Sequence, residues 1–217
     1  IVRMHAFTPN GPVQVANASN TGTDNAAQSL FILTEKYHFC VLRYDAHKKT
    51  FTKRASGDLK SSIGRRVNYI KSAADPMNRM IAMYLCDGHI KILPMPANGG
   101  FADAFDLRLQ DVTRLLDMSF LHGCPRPTLV LLHEDDMGQR HLKTITVDAR
   151  DREFSIGPWG SGSSSGSSGG GVPEQHESAH TLIPISTGGV VVIGTSVISY
   201  FGGSDRTSQH VTMEGMS

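Results

Sequence analysis

Four times along the chain two apolar runs flank a short polar turn, and the spacing of these pairs limits the fold more than any other feature. The pairs are Leu30 to Leu33 with His38 to Tyr44, Met80 to Leu85 with His89 to Leu93, Thr128 to Leu132 with His141 to Val147, and Val190 to Ile193 with Val197 to Phe201. Each run is short, rich in Val, Ile, Leu and Thr, and bounded by Gly, Asp or Ser, which predicts β-hairpins. Cys86-Asp87-Gly88 gives the clearest signal, because an Asp-Gly turn has the twist that paired strands need. The hairpins begin 50, 48 and 62 residues apart, and leaving out the twelve Gly and Ser residues of Gly160 to Gly171 returns the last step to 50. A period of about 50 residues of antiparallel strand is the size of one β-propeller blade. The prediction is therefore an all-β, partial β-propeller of about three to four blades. Fewer blades than a closed ring requires would leave a blade face open at each end.

The stretches between the hairpins are less regular. Ile1 to Phe7 reads as a strand, Thr8 to Gln28 as a loop and Phe51 to Ala55 as a strand pairing on the first hairpin. Ser56 to Ser72, with Gly57, Gly64, Arg65 and Arg66, reads as a long loop with one short strand. Phe105 to Phe120 fits a helical stripe or two strands, and strands are preferred because Asp111 falls where a turn would lie. Leu182 to Ile185 resumes a strand. The tract Gly160 to Gly171 reads as a flexible tether interrupting a propeller unit over 1–203, and 204–217 as a disordered tail without an evident element.

Composition excludes more than it proposes. A formal net charge of +1 gives no global pull towards nucleic acid, and apolar runs such as Val190 to Ile193 fall far short of a bilayer span, so no membrane partner is expected. Three cysteines, Cys40, Cys86 and Cys124, stand far apart without a C-x-x-C pair, which suits buried thiols in a reducing compartment. The chain opens on Ile1 with no visible targeting signal, so it reads as cut from something longer.

No catalytic residue is expected. Gly162-Ser163-Ser164-Ser165-Gly166 has the letters of a nucleophile elbow, but that motif needs a strained strand-to-helix turn that a Gly/Ser tract cannot hold. His133-Glu134 lacks the second histidine of a zinc protease, since Met137 stands there. The ten histidines show no ligand spacing, so no metal and no cofactor are expected. Asp135 and Asp136 are adjacent in a turn and point apart, and Asn17-Ala18-Ser19 is a glycosylation sequon in form only. Lys48, Lys49, Lys53 and Arg54, with Arg65 and Arg66, form the one basic concentration. It reads either as a solvated strand edge or as a contact for a protein or nucleic acid. Within it, Arg65 and Arg66 are the candidate partner-binding residues, since arginines on a rigidly mounted loop suit acidic side chains.

A set of short motifs resembles one family. They are Arg54-Ala55-x-Gly57, Ile63-Gly64-Arg65, Asp75-Pro76-x-x-Arg79-Met80-Ile81, Asp87-Gly88-x-x-Lys91, Phe120-Leu121-x-Gly123-Cys124, Pro127-Thr128, Gly138-x-x-His141-x-Lys143-Thr144, Glu153-Phe154, Gly157-Pro158-Trp159, Gly188-Gly189 and Tyr200. Together they resemble the large subunit of the damaged-DNA-binding complex, the triple-propeller adaptor of cullin-4 RING ubiquitin ligases. The resemblance covers Leu30 to Phe201, is weak over Ile1 to Gln28 and departs at Ser62, Arg66, the Gly/Ser tract and the tail. It implies part of a seven-bladed, WD40-like first propeller that acts as a non-catalytic scaffold. The implied partners are WD-repeat substrate receptors, cullin-4 through a second propeller absent here, and damaged DNA only indirectly through a receptor. The implied location is nucleus and cytoplasm. The alternative is a related propeller scaffold of pre-mRNA processing, the large subunit of a cleavage-and-polyadenylation or splicing factor.

Overall fold

Where the chain alternates β-branched and aliphatic residues between Asp- and Gly-bearing turns, it folds as strand and as nothing else. The computed structural model describes residues 3–7, 29–60, 64–96, 100–110, 112–157, 178–202 and 208–212, and among them all regular structure is β. The first blade holds β1 (Arg3–Phe7), β2 (Ser29–Leu33), β3 (His38–Asp45) and β4 (Thr50–Asp58), and the second β5 (Arg66–Ala74), β6 (Met80–Cys86), β7 (His89–Pro94) and β8 (Phe105–Arg108). The third holds β9 (Arg114–Phe120), β10 (Thr128–Glu134), β11 (Arg140–Asp148) and β12 (Glu153–Ile156). The fourth holds β13 (Thr181–Pro184), β14 (Val190–Ile193), β15 (Val197–Phe201) and β16 (Ser208–Thr212). Each blade is an antiparallel sheet of four strands in chain order.

All four expected hairpins are present, as β2–β3, β6–β7, β10–β11 and β14–β15. Phe105 to Phe120 forms two strands, β8 and β9, rather than a helix. Two readings need correction, and one strand went unread. Ser56 to Ser72 is not mainly a loop, because β4 continues to Asp58 and β5 starts at Arg66. The stretch after Gly202 carries β16, and Glu153–Ile156 forms β12, a strand that no apolar alternation marks. Outermost strands pair along one edge and need little apolar surface, so their sequences carry little periodicity. Thr8 to Gln28, the turn at Asp111 and the Gly/Ser tract lie outside the described residues.

The blades form an open arc. β1 packs on β5, β5 on β9 and β9 on β13, so the first strand of each blade lines the inside of the arc. Alternation within one strand then decides which neighbour each residue faces. Ile81, Met83 and Leu85 of β6 join Phe31, Leu33 and Val41 in the core between the first and second blades. Met80, Ala82 and Tyr84 join Leu129, Leu131 and Ile145 in the core between the second and third. Val130 and Leu132 face Leu182, Val190 and Val192 of the fourth. Each such Val, Leu, Ile, Phe or Met side chain contributes about 1.5–3 kcal/mol on leaving water.

Polar staples fix the angle between blades. Arg3 donates to the Ile70 carbonyl at 2.6 Å and His5 bonds Ser72 at 2.7 Å, joining the first two blades. Asp117 accepts from the Leu182 backbone N–H at 2.8 Å and pairs with Lys71 Nζ at 3.4 Å, so one carboxylate ties three blades. Asp75, wholly buried, holds Arg79 through both carboxylate oxygens, and Arg79 Nη1 donates onward to the Pro125 carbonyl of the third blade at 2.8 Å. Arg140 Nη1 donates to the Ala179 carbonyl at 2.7 Å and closes the contact with the fourth blade.

Candidate protein-docking surface

Arg65 and Arg66 lie where the link from β4 meets the start of β5, at the end of the arc that also carries the β2–β3 and β6–β7 turns. Gly64, at φ +81°, turns the chain into this position through a backbone conformation that side-chain-bearing residues avoid. The Arg65 carbonyl then accepts from Asp87 N–H at 2.8 Å, and its Nε sits 3.0 Å from Asp87 Oδ2 while the side chain stays 89% exposed. Asp87 is itself in the Asp-Gly turn, where Gly88 N–H donates to the Tyr84 hydroxyl at 3.3 Å. Arg65 is thus mounted on a braced turn and open to solvent.

Arg66 lies over the ring of Tyr37, with Cζ 4.9 Å from the centroid. Tyr37 is buried at the β2–β3 turn and donates its hydroxyl to the Leu85 carbonyl at 3.3 Å, and burial pushes that hydroxyl's pKa up. The cation–π contact is worth about 0.5–1 kcal/mol at such a site. It holds one basic group in place without neutralising it.

The sequence missed the third member, Tyr69. Arg66 pairs with Cys86 and Lys71 with Tyr84, so four residues of β5 lie opposite the single residue Leu85. The bulge buries Ile70 and leaves Tyr69 77% exposed. Bulges re-aim side chains in this way. The available signal was Tyr69 in an otherwise strand-like Val67 to Ala74, hidden when the stretch was read as loop.

The other basic residues do not join this surface. Lys48 and Lys49 sit in the β3–β4 turn at the opposite end of the first blade, with Lys53 and Arg54 along β4. Asp135 is a turn cap, accepting from Met137 and Gln139 N–H, and it bonds His141 Nε2 at 2.7 Å. That bond, with the backbone donors, holds its carboxyl below the usual carboxylate range. Among the described residues no three His, Cys, Asp or Glu side chains gather as a metal site. Cys40, Cys86 and Cys124 are free thiols, and burial pushes that of Cys86 up. Among the described residues no helix is long and apolar enough to cross a membrane.

Exposed Tyr and Arg on a braced support are the residue types that dominate protein-protein hot spots. Residues 1–214 match the family model described as the RSE1/DDB1/CPSF1 first beta-propeller. The chain belongs to that family. It is 35% identical over 210 residues to DNA damage-binding protein 1 of Oryza sativa subsp. japonica, covering 92% of this chain and 18% of that protein. It is 34% identical over 203 residues to DNA damage-binding protein 1 of Solanum lycopersicum, covering 92% and 16%. DNA damage-binding protein 1a of Arabidopsis thaliana is 34% identical over 212 residues, with 92% and 18% covered. The chain therefore spans less than a fifth of the length of these relatives.

Within this first-propeller family, most residues that carried the resemblance build blades rather than a site. Asp75 and Arg79 are a staple between blades. Gly189, at φ +78°, lets the Phe201 carbonyl and the Tyr200 ring approach the β13–β14 turn, and the Tyr200 hydroxyl donates to the Gly188 carbonyl at 3.1 Å. Gly157 N–H donates to the Thr144 carbonyl at 2.8 Å, with no room for a side chain. Gly64 and Arg65 are the motif residues that form the exposed surface.

Proposed function

We propose that the chain is part of a non-catalytic adaptor that docks WD-repeat substrate receptors onto a cullin-4 RING ubiquitin ligase. The observation that carries this reading is the match of nearly the whole chain to the first propeller of proteins named for binding damaged DNA. In it, Arg65, Arg66 and Tyr69 contribute to receptor docking, with the arginines facing acidic side chains. Cullin-4 is held by a second propeller outside this chain. Damaged DNA is read by a receptor subunit, and the adaptor works in nucleus and cytoplasm. A second reading, a scaffold of pre-mRNA processing, is kept because the family description also names RSE1 and CPSF1.

One experiment separates them. The protein, tagged at its full natural length, is purified from its own cells and its companions are identified by mass spectrometry. A cullin with several WD-repeat proteins is the expected result, and splicing or polyadenylation factors in their place contradict it. Arg65→Glu is expected to reduce receptor recovery about tenfold with an unchanged melting temperature, because an ion pair this exposed adds little to stability. Undiminished recovery returns Arg65 to a solvated surface residue.

A further inference from the structure

The blades diverge towards their outer strands, and between the first and second a groove of about 460 Å³ opens at the rim. One wall is β4, and the other is the segment 100–104 that leads into β8. The floor is apolar. Phe39 and Phe101 face one another there at 5.9 Å between ring centroids, beside Leu59 and Leu93. Phe39 lies so close to Gly57 that a Cβ on that glycine would stand 2.6 Å from the ring, so this wall is bare backbone beside an aromatic face.

β4 is also an edge. Among the described residues it pairs with β3 alone, which leaves its outer row of N–H and C=O groups for an incoming strand. A bulge places Arg54 out of register, since Val41 pairs with Ala55 and Leu42 with Lys53. Arg54 lines the groove and Lys53 is exposed beside it. Among the described residues neither has a carboxylate within ion-pair distance, and the same holds for Lys48 and Lys49 at the start of β4. Asp58, at the far end, is matched by His38 and Lys60. Asp103 stands on the opposite wall, so the open edge, the apolar floor and the unpaired cations of β4 together specify an occupant that turns its carboxylates towards β4.

We propose that this groove takes an extended, acidic segment of a partner protein, which adds to β4 as a fifth strand of the first blade. Alternate side chains of such a strand point to one face, so apolar residues at every second position lie on the floor formed by Phe39, Phe101, Leu59 and Leu93. Its carboxylates meet Lys53 and Arg54. Nucleic acid fits less well, because stacking needs an exposed ring face, and Phe39 is half-buried with its ring stacked on Phe31 at 5.7 Å and tilted against Phe101. The site is distinct from the surface of Arg65, Arg66 and Tyr69.

Fluorescence anisotropy tests it with a labelled peptide alternating Val and Glu, titrated with the whole chain. Three controls accompany it: the same peptide with Lys for Glu, one with Pro at alternate positions to remove the strand's donors, and a labelled oligothymidylate. Binding of the Val/Glu peptide alone is expected. Arg54→Glu and Ala102→Trp, both at exposed positions in the groove walls, are each expected to weaken it about tenfold while circular dichroism stays unchanged. The proposal is overturned if the Val/Glu peptide does not bind, if the Lys or Pro peptide binds equally, if both variants bind as the parent does, or if the oligonucleotide alone binds.

Discussion

β6 and β14 occupy the same place in their blades, second from the inside and paired along both edges, yet they are buried differently. All seven residues of β6 are buried, whereas β14 buries Val190 and Val192 and leaves Val191 and Ile193 half-exposed. β10 resembles β6, with Leu129 to His133 buried, and β2 resembles β14, with Leu30 and Ile32 half-exposed. The sequences are equally apolar. The difference is neighbours: among the described residues the second and third blades are covered on both faces and the first and fourth on one. A blade's hydrophobic pattern therefore records the ring it is made for, not the burial it achieves in this chain.

The largest effect expected on this contrast comes from a staple between the two inner blades. Asp75→Ala leaves Arg79 without its buried partner and frees the link to the Pro125 carbonyl, costing about 3–5 kcal/mol in denaturant unfolding. Next is a matched pair. Leu131→Ala, in a doubly covered strand, is expected to cost about 2–5 kcal/mol. Ile193→Ala, on the uncovered face of β14, should cost about 1 kcal/mol or less. Equal losses would mean that coverage does not set the difference.

Acid gives the smallest effect. Burial, and then the charge of Arg3, hold the pKa of His5 below its ordinary value of 6.5. The folded chain thus favours neutral His5, and stability declines as the pH falls below that ordinary value. His5→Asn should flatten this part of a pH–stability profile, and an unchanged slope would assign it to other groups.

How much of this could be read from the sequence follows the same physics. The four hairpins were legible because their second and third strands carry apolar runs closed by Asp and Gly turns, and the period of about 50 residues pointed to the blade. β12 was not, because Glu153 to Ile156 is an outer strand with three exposed residues. β5 was hidden by its bulge, where Asn68 and Tyr69 face solvent in a strand that elsewhere packs against two blades. The docking surface divided accordingly. Arg65 and Arg66 stood out by charge, whereas Tyr69 required the register between β5 and β6, which depends on pairing and not on local pattern.

Hydrogen–deuterium exchange on the intact chain, read peptide by peptide, tests the contrast most directly. β2, β6, β10 and β14 are all paired on both edges, so backbone bonding is matched and face coverage is the variable. Slow exchange in β6 and β10 with markedly faster exchange in β2 and β14 is the predicted result. Uniform protection across the four strands would contradict it, and would mean that a blade is stable without a neighbour on each face.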